Sequence, residues 1–174
     1  MRRNIELKAR CRDLDAARAA AIKLGASPQG ILVQTDTYFH VPHGRLKVRE
    51  IEGETAELIY YARADSSELR DSHYEISPIA NPSSMLAVLI AALGVRAIVR
   101  KRRELLLWHN VRLHLDEVEG LGRFIAFEAV IEHDQQVADS RGRLDQLVGA
   151  IQIEQRDTLC GSYGELVMQT PRPC

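Results

Sequence analysis

The sequence predicts an α+β protein, an eight-stranded antiparallel β-barrel with helices packed outside it. Short segments of β-type sequence follow one another through tight turns such as "VPHG" and "EGE", which is typical of hairpin-linked antiparallel sheets that close on themselves. No Pro-, Gly- or Ser-rich linker divides the 174 residues, and this length suits one domain. We therefore expect a single domain over 1–174, in which 168–174 form a loose tail.

The first half of the chain predicts five strands and two helices. "RDLDAARAAAIKLGA" has the composition of a helix that is capped by Asp13 and ends near Gly25. "NPSSMLAVLIAALG" has Asn81 as its cap, Pro82 in its first turn and Gly94 at its end. The strands are expected at 4–10, 31–39, 45–51, 56–63 and 73–76.

The second half resumes the β pattern and ends in helices. Three strands are expected at 97–108, 111–118 and 123–131, which brings the total to eight. A helix is predicted over 139–150 and a short terminal helix over 161–169.

The composition restricts the possible partners. A net charge of −1 and a pI near 6.6 give no global basic field, so we expect no nucleic-acid partner. The longest apolar run, at 85–95, is too short to cross a bilayer, so no membrane partner is expected either. Cys11, Cys160 and Cys174 have no paired spacing, which disfavours a disulfide framework and a zinc site and favours a reducing cytoplasm.

Charged residues recur on one face of several predicted strands. In "RLKVREI", Arg45, Lys47 and Arg49 lie on one face, whereas Leu46 and Val48 lie on the other. A solvated surface explains such a pattern in a single strand, but like charges at alternate positions are unfavourable without an anion. Helices packed outside would cover the aliphatic faces and leave the charged faces in the lumen. The charged residues that share this side in the other strands are Glu6, Lys8, Arg10, Lys101, Arg103, Arg112, His114, Asp116 and Glu128.

This pattern predicts a lumen that binds a chain of phosphates together with a metal ion. Crowded cations are costly to desolvate unless an anion compensates them. A few carboxylates among cations suit a hard ion such as Mg²⁺ or Mn²⁺, which prefers oxygen ligands and often shares them with substrate phosphates.

Six motifs in order carry a resemblance that covers nearly the whole chain. They are "NIELKAR", "QTDTYF", "GRLKVRE", "VRKRREL", "LDEVEGLGRFIAFEA" and "GSYGELV". In this order they resemble the CYTH superfamily, or triphosphate tunnel metalloenzymes, and most closely the class IV adenylyl cyclase-like proteins. The resemblance implies an eight-stranded antiparallel tunnel with its charges inside.

The resemblance also implies roles for individual residues. Glu6, Asp116 and Glu128 would hold Mg²⁺ or Mn²⁺, and these three together with Lys8 would be catalytic. The residues that would bind the triphosphate are Lys8, Arg10, Arg45, Lys47, Arg49, Arg63, Lys101, Arg103 and Arg112.

Two residues depart from the family pattern. Asn4 stands where the family has the first Glu of its opening strand, and Ala126 where it has the first Glu of a Glu-x-Glu pair. Fewer carboxylates imply weaker metal binding and a single ion where two are usual. Two hypotheses therefore stay open: a metal-dependent enzyme acting on ATP, thiamine triphosphate or tripolyphosphate, as a cyclase or a triphosphatase, and a non-catalytic binder of polyphosphate or nucleotide. Family members are often dimers, so a homodimer is also expected.

The histidines and the pair Ser162 and Tyr163 have no role in the metal or triphosphate sites predicted above. The six histidines have no metal-binding spacing, yet His114 shares a face with Arg112 and Asp116. Ser162 and Tyr163 either close one end of the tunnel or only pack a terminal helix.

Overall fold

The computed structural model describes residues 1–169, apart from the side chain of residue 135. Its eight strands form a closed barrel in the order β1-β5-β4-β3-β2-β6-β7-β8, and every neighbouring pair is antiparallel. The predicted fold class is confirmed. The strands are β1 Arg2–Arg10, β2 Ser27–Phe39, β3 Arg45–Ile51, β4 Ala56–Arg63, β5 Arg70–Ile79, β6 Val95–Trp108, β7 Val111–Val118 and β8 Gly122–Ile131. The α-helices are α1 Leu14–Lys23, α2 Pro82–Leu93, α3 Val137–Ile151 and α4 Tyr163–Gln169.

Local capping chemistry sets the helix starts as predicted. The Asp13 side chain accepts a hydrogen bond from the backbone N–H of Ala16 at 2.9 Å, and Asn81 accepts one from the N–H of Ser84 at 3.1 Å. Pro82 occupies the first turn of α2, where its missing N–H costs nothing.

Long-range pairing extends five strands beyond their predicted bounds, and β2 and β5 are extended the most. β5 begins at residue 70 and not at 73, because it pairs with β1 on one side and β4 on the other. β2 begins at residue 27 and not at 31, because it follows β6 through a bulge between Pro28 and Gly30. Two predictions overlapped at residues 168 and 169, a terminal helix over 161–169 and a loose tail over 168–174; the structure places both residues in α4, which begins at Tyr163, and 170–174 lie outside the described residues.

The outer faces of the strands are aliphatic and are covered by helices. Ile5 and Leu7 of β1 are buried in one cluster with Leu144 and Leu147 of α3. α2 covers a second cluster that contains Val48. Burial of these faces turns the charged faces inward, as the alternation predicts. Within 1–169, no helix has the length and apolar character needed to cross a membrane.

One end of the barrel is closed by α4, and we call it the closed end. The ring of Tyr163 is 2% exposed, and its centroid lies 5.0 Å from that of Phe124 in β8. Gly164 lies directly on the Tyr38 ring, where an added Cβ would come within 3.1 Å of a ring carbon. α4 therefore differs from the other three helices, because it inserts a side chain into the barrel.

Candidate functional site

The lumen contains a cavity of about 100 Å³ that is lined by all eight strands and by Tyr163 of α4. Seven of its lining side chains are Lys or Arg and two are Glu. The predicted phosphate-binding residues that line it are Lys8, Lys47, Arg49, Arg63, Lys101, Arg103 and Arg112. The structure thus brings together seven of the nine basic residues that were predicted to bind the triphosphate.

Two predicted phosphate-binding residues lie away from this cavity, towards the closed end. The Arg10 guanidinium is exposed and stacks over the Phe124 ring at 5.2 Å. Arg45 places Nη2 2.6 Å from Asp65 Oδ1 and 2.8 Å from Glu165 Oε1. The charge of Arg45 is therefore already compensated, and its contacts fix α4 against β3.

A buried carboxylate that sequence reasoning did not assign organises three of the cations. Asp36 is fully buried, and its oxygens lie 2.8 Å from Lys101 Nζ, 3.1 Å from Lys47 Nζ and 3.6 Å from Arg49 Nε. The Gln34 amide donates to both oxygens at 2.9 Å. Burial alone would raise the pKa of Asp36, but the positive charges of Lys101, Lys47 and Arg49 lower it well below its usual value. Glu57 Oε2 also lies 3.5 Å from Arg49 Nη1, so two carboxylates face three basic side chains, and the balance of this group remains basic.

Asp116, a predicted metal ligand, has both of its oxygens engaged. Arg103 binds it in a bidentate pair with two distances of 2.7 Å, and the Tyr163 hydroxyl donates to Oδ2 at 2.7 Å. Burial would raise the pKa of Asp116, but the Arg103 guanidinium lowers it, so the carboxylate is ionised. A metal ion would have to displace these partners. Its role as a metal ligand stays a prediction, and in this structure Asp116 joins α4 to the barrel.

The other two predicted metal ligands, Glu6 and Glu128, lie directly opposite each other on β1 and β8 and both line the cavity. Oε1 of Glu6 contacts Arg63 Nη1 and lies 3.2 Å from Arg70 Nε. Burial would raise the pKa of Glu128, but His114 and the Arg103 guanidinium lower it to about 2. Two carboxyl groups therefore lie side by side in the cavity wall.

The residues that depart from the family pattern flank this carboxylate pair. Asn4 is buried, and its Oδ1 accepts no hydrogen bond from any described residue. Ala126 lies in register between Lys8 on β1 and His114 on β7. Two carboxylates and an unpaired amide oxygen form a donor set that fits a hard divalent ion, with water and phosphate oxygens as the remaining ligands. Within the described residues, no three His, Cys, Asp or Glu side chains form a ready-made metal cluster.

Two lysines in the lumen have lowered pKa values because they are buried near other positive charges. Burial and the charge of Arg103 lower the pKa values of Lys8 and Lys101 to about 8. Lys8 Nζ lies 4.0 Å over the Tyr163 ring and forms no ion pair with the described residues. A polyanion in the cavity would compensate these charges and stabilise their protonated forms.

Arg70 is a second lumenal residue that sequence reasoning missed. Besides Glu6, it binds the carbonyl oxygens of Leu159 at 2.9 Å and Cys160 at 3.0 Å, and so it fixes the segment before α4. The predicted strand began at residue 73, which left Arg70 in a loop. Extending the alternation back from Tyr74 by four residues would have found it.

The closed antiparallel barrel, its cationic lumen and its inward carboxylates define the class of protein, a β-barrel tunnel with a charged interior. The sequence profile of the CYTH domain matches residues 2–159, so the chain belongs to the CYTH family. No curated protein matches the chain significantly.

Solved structures share the fold at low sequence identity. The PH1012 protein from Pyrococcus horikoshii OT3 is 23% identical with a TM-score of 0.82, over 94% of this chain and 98% of that one. A candidate adenylate cyclase from Vibrio parahaemolyticus is 20% identical with a TM-score of 0.76, over 95% and 97%. HpAC1 from Hippeastrum, a candidate adenylyl cyclase with a dominant triphosphatase activity, is 16% identical with a TM-score of 0.65, over 99% and 98%.

Proposed function

We propose that this protein is a divalent-metal-dependent enzyme that acts on a small molecule bearing a triphosphate. The observation that carries the proposal is the cavity with seven basic and two acidic side chains. Triphosphate tunnel enzymes of the CYTH family generally depend on divalent metals, and paired lumenal carboxylates fit that requirement. The unpaired buried charge supports a bound polyanion over a purely structural barrel.

The shape of the lumen suggests how a substrate enters. The end opposite α4 opens into a cup of about 930 Å³, which shares Tyr74 and Arg112 with the cavity and which we call the mouth. Since Tyr163 blocks the closed end, the phosphate chain would enter through the mouth with its free end first. An organic group would then stay in the cup, whose wall includes Val130 and His133.

The cations of the lumen would bind and orient the phosphate oxygens. Lys47, Arg49 and Lys101, held by Asp36, would contact the inner phosphates, and Lys8 would stabilise charge that develops on the leaving group. Glu6, Glu128 and Asn4 are the residues that would hold Mg²⁺ or Mn²⁺. The bound metal would neutralise charge on the reacting phosphoryl group.

Two reactions are compatible with this arrangement. In a cyclase, the ribose 3′-hydroxyl of ATP attacks the α-phosphorus and pyrophosphate leaves. In a triphosphatase, water attacks the terminal phosphorus and orthophosphate leaves. Glu128 lies opposite Arg112, which also lines the mouth, and this proximity supports attack at the phosphorus nearest the organic group.

A non-catalytic binder is the second candidate function. Asp116 is fully engaged by Arg103 and Tyr163, and no ready-made metal cluster exists among residues 1–169. Such a protein would bind polyphosphate or nucleotide with little dependence on metal.

Phosphorus NMR of the purified protein with ATP, and separately with tripolyphosphate, tests these alternatives in Mg²⁺ and then in Mn²⁺. Cyclic AMP and pyrophosphate identify a cyclase, and orthophosphate identifies a triphosphatase. Broadened but unchanged substrate signals, equal with and without metal, identify a binder. Sharp, unchanged signals with no thermal stabilisation by tripolyphosphate would refute the proposal.

A pair of arginine variants tests whether the lumen is the binding site. Arg49→Met removes a lumenal cation, whereas Arg100→Met removes an exposed cation on β6. Tripolyphosphate should raise the melting temperature of Arg100→Met as much as that of the wild type, and that of Arg49→Met much less. The expected homodimer is tested separately by sedimentation equilibrium.

A further inference from the structure

His114 is a buried side chain of the lumen wall whose ring nitrogen is unused. It is 6% exposed, and its Nδ1 is buried without a hydrogen-bond partner among the described residues. The nearest acidic oxygen is Oε1 of Glu128, at 3.6 Å, which is beyond ordinary hydrogen-bond length. A buried polar atom of this kind is costly unless something absent from the protein itself binds it.

The register of the sheet explains why this position is significant. His114 on β7 is the direct cross-strand partner of Ala126 on β8. Side chains in such pairs lie about 5 Å apart on the same face. The Ala126 side chain has no polar atom, so it offers neither a hydrogen bond to the His114 imidazole nor a carboxylate beside Glu128.

We propose that His114 Nδ1 is a ligand of the divalent cation and shares it with Glu128. The inference rests on the proposed metal-dependent function and adds a nitrogen donor to its site. Two donors at roughly 2.2 Å from one ion are about 3.1–3.6 Å apart for ligand angles near 90–110°, and the observed separation of Nδ1 and Oε1 is 3.6 Å. Water and phosphate oxygens would complete the coordination.

Two acids share the lumenal face with His114, namely Glu128 and Asp116. Arg103 binds both oxygens of Asp116, so Glu128, whose Oε1 lies 3.6 Å from Nδ1, is the carboxylate that can share an ion with His114. A nitrogen ligand changes which metal ion the site prefers, because imidazole binds transition-metal ions more tightly than it binds Mg²⁺. Compared with an all-oxygen site, this site should therefore prefer Mn²⁺ and Co²⁺ over Mg²⁺ more strongly.

The competing explanation is a purely positional role, in which His114 Nδ1–H only orients Glu128. Pulsed EPR of the protein loaded with Mn²⁺ separates the two, because electron spin-echo modulation detects a directly bound ¹⁴N nucleus. The variants are His114→Gln and, as a matched control, His73→Gln on the exposed outer face of β5. Mn²⁺, Co²⁺ and Mg²⁺ affinities are measured on the same samples by calorimetry.

The proposal expects ¹⁴N modulation in the wild type and in His73→Gln, and its loss in His114→Gln. Mn²⁺ affinity of His114→Gln should fall roughly tenfold or more, with a smaller fall for Mg²⁺. Absence of ¹⁴N modulation in the wild type, or its persistence in His114→Gln, would overturn the proposal. If His114→Gln does not fold, His114→Asn is measured in its place.

These readouts require no turnover, so they are independent of the reaction. A protein that binds Mn²⁺ through nitrogen but leaves ATP and tripolyphosphate unchanged would refute the proposed catalysis and support the metal site. A protein that turns over a triphosphate with no nitrogen bound to Mn²⁺ would support the proposed catalysis and refute His114 as a metal ligand.

Discussion

The Tyr163 hydroxyl donates a 2.7 Å hydrogen bond to Asp116 and so connects the last described helix to β7 across 47 residues. Asp116 is at the same time bound by Arg103 on β6. One buried carboxylate therefore fastens two strands and the closure of the tunnel. The stability of the closed end should depend on this contact.

Replacing Tyr163 with Phe removes the hydroxyl and keeps the ring. We expect a loss of about 2 kcal/mol in the free energy of unfolding, since a hydrogen bond to a buried charge contributes about 1.5–3 kcal/mol. Urea denaturation measures it. Tyr60→Phe is the control, because the Tyr60 hydroxyl makes no hydrogen bond to residues 1–169. Equal stabilities of the two variants would contradict the contact.

The Asp116→Asn variant distinguishes a structural carboxylate from a metal ligand. Breaking a buried charge pair typically costs about 3–5 kcal/mol, so we expect a large loss of stability. At a temperature where the variant is folded, its Mn²⁺ affinity should stay within a few-fold of the wild type. Asp145→Asn, on the exposed side of α3, should alter neither quantity. A tenfold loss of Mn²⁺ affinity without a loss of stability would instead support the predicted metal role of Asp116.

Strand alternation alone was sufficient to predict most of the lumen. Lys47 and Arg49 alternate with Leu46 and Val48, and the structure puts the first pair in the cavity wall. The same rule placed Arg45 on the correct face, but it could not show that Asp65 and Glu165 occupy its guanidinium. Those contacts depend on where α4 docks, which is a tertiary property with no local signal.

Other features were missed because a short pattern does not reveal charge networks. Asp36 lies in "QTDTYF", where one acid between threonines looks like an ordinary polar residue. Its importance arises only when β3 and β6 pair on either side of β2 and bring Lys47 and Lys101 to it. His114 is similar, because its unused nitrogen becomes apparent only beside Ala126 and Glu128.

Restoring a carboxylate at residue 4 should strengthen metal binding. Asn4→Asp adds a negative charge of nearly the same shape beside the carboxylate pair of Glu6 and Glu128. One charge at about 4 Å contributes ~1 kcal/mol even in water, so we expect Mn²⁺ affinity to rise roughly fivefold or more. Calorimetric titration with Mn²⁺ measures this. Asn81→Asp is the control: this residue caps α2 outside the barrel, where Asp caps equally well, so the variant should bind Mn²⁺ like the wild type.

An unchanged or weaker Mn²⁺ affinity in Asn4→Asp would show that the ion lies away from β1. In that case Asn4 Oδ1 is unpaired for another reason, and the metal site would consist of Glu128 and its neighbours on β7.

The lowered pKa values of Lys8 and Lys101 predict how anion binding depends on pH. Both are about 8 in the free protein, mainly through burial and then through the charge of Arg103. These lysines are charged below pH 8 and neutral well above it. A bound polyanion favours the charged forms and raises their pKa values. Binding at pH 8.5 should therefore take up protons, and affinity should fall as pH rises from 7.5 to 9.5.

Calorimetry of metal-free protein with tripolyphosphate, in two buffers of different ionisation enthalpy, counts the protons. Tripolyphosphate itself titrates in this range, so the informative quantity is the difference between the wild type and Lys8→Met. The variant should take up fewer protons at pH 8.5 and show a weaker pH dependence. Lys23→Met, on the last turn of the outer helix α1, should match the wild type. Equal proton uptake by the wild type and Lys8→Met would mean that Lys8 keeps its ordinary pKa and that the lumen is wetter than its packing indicates.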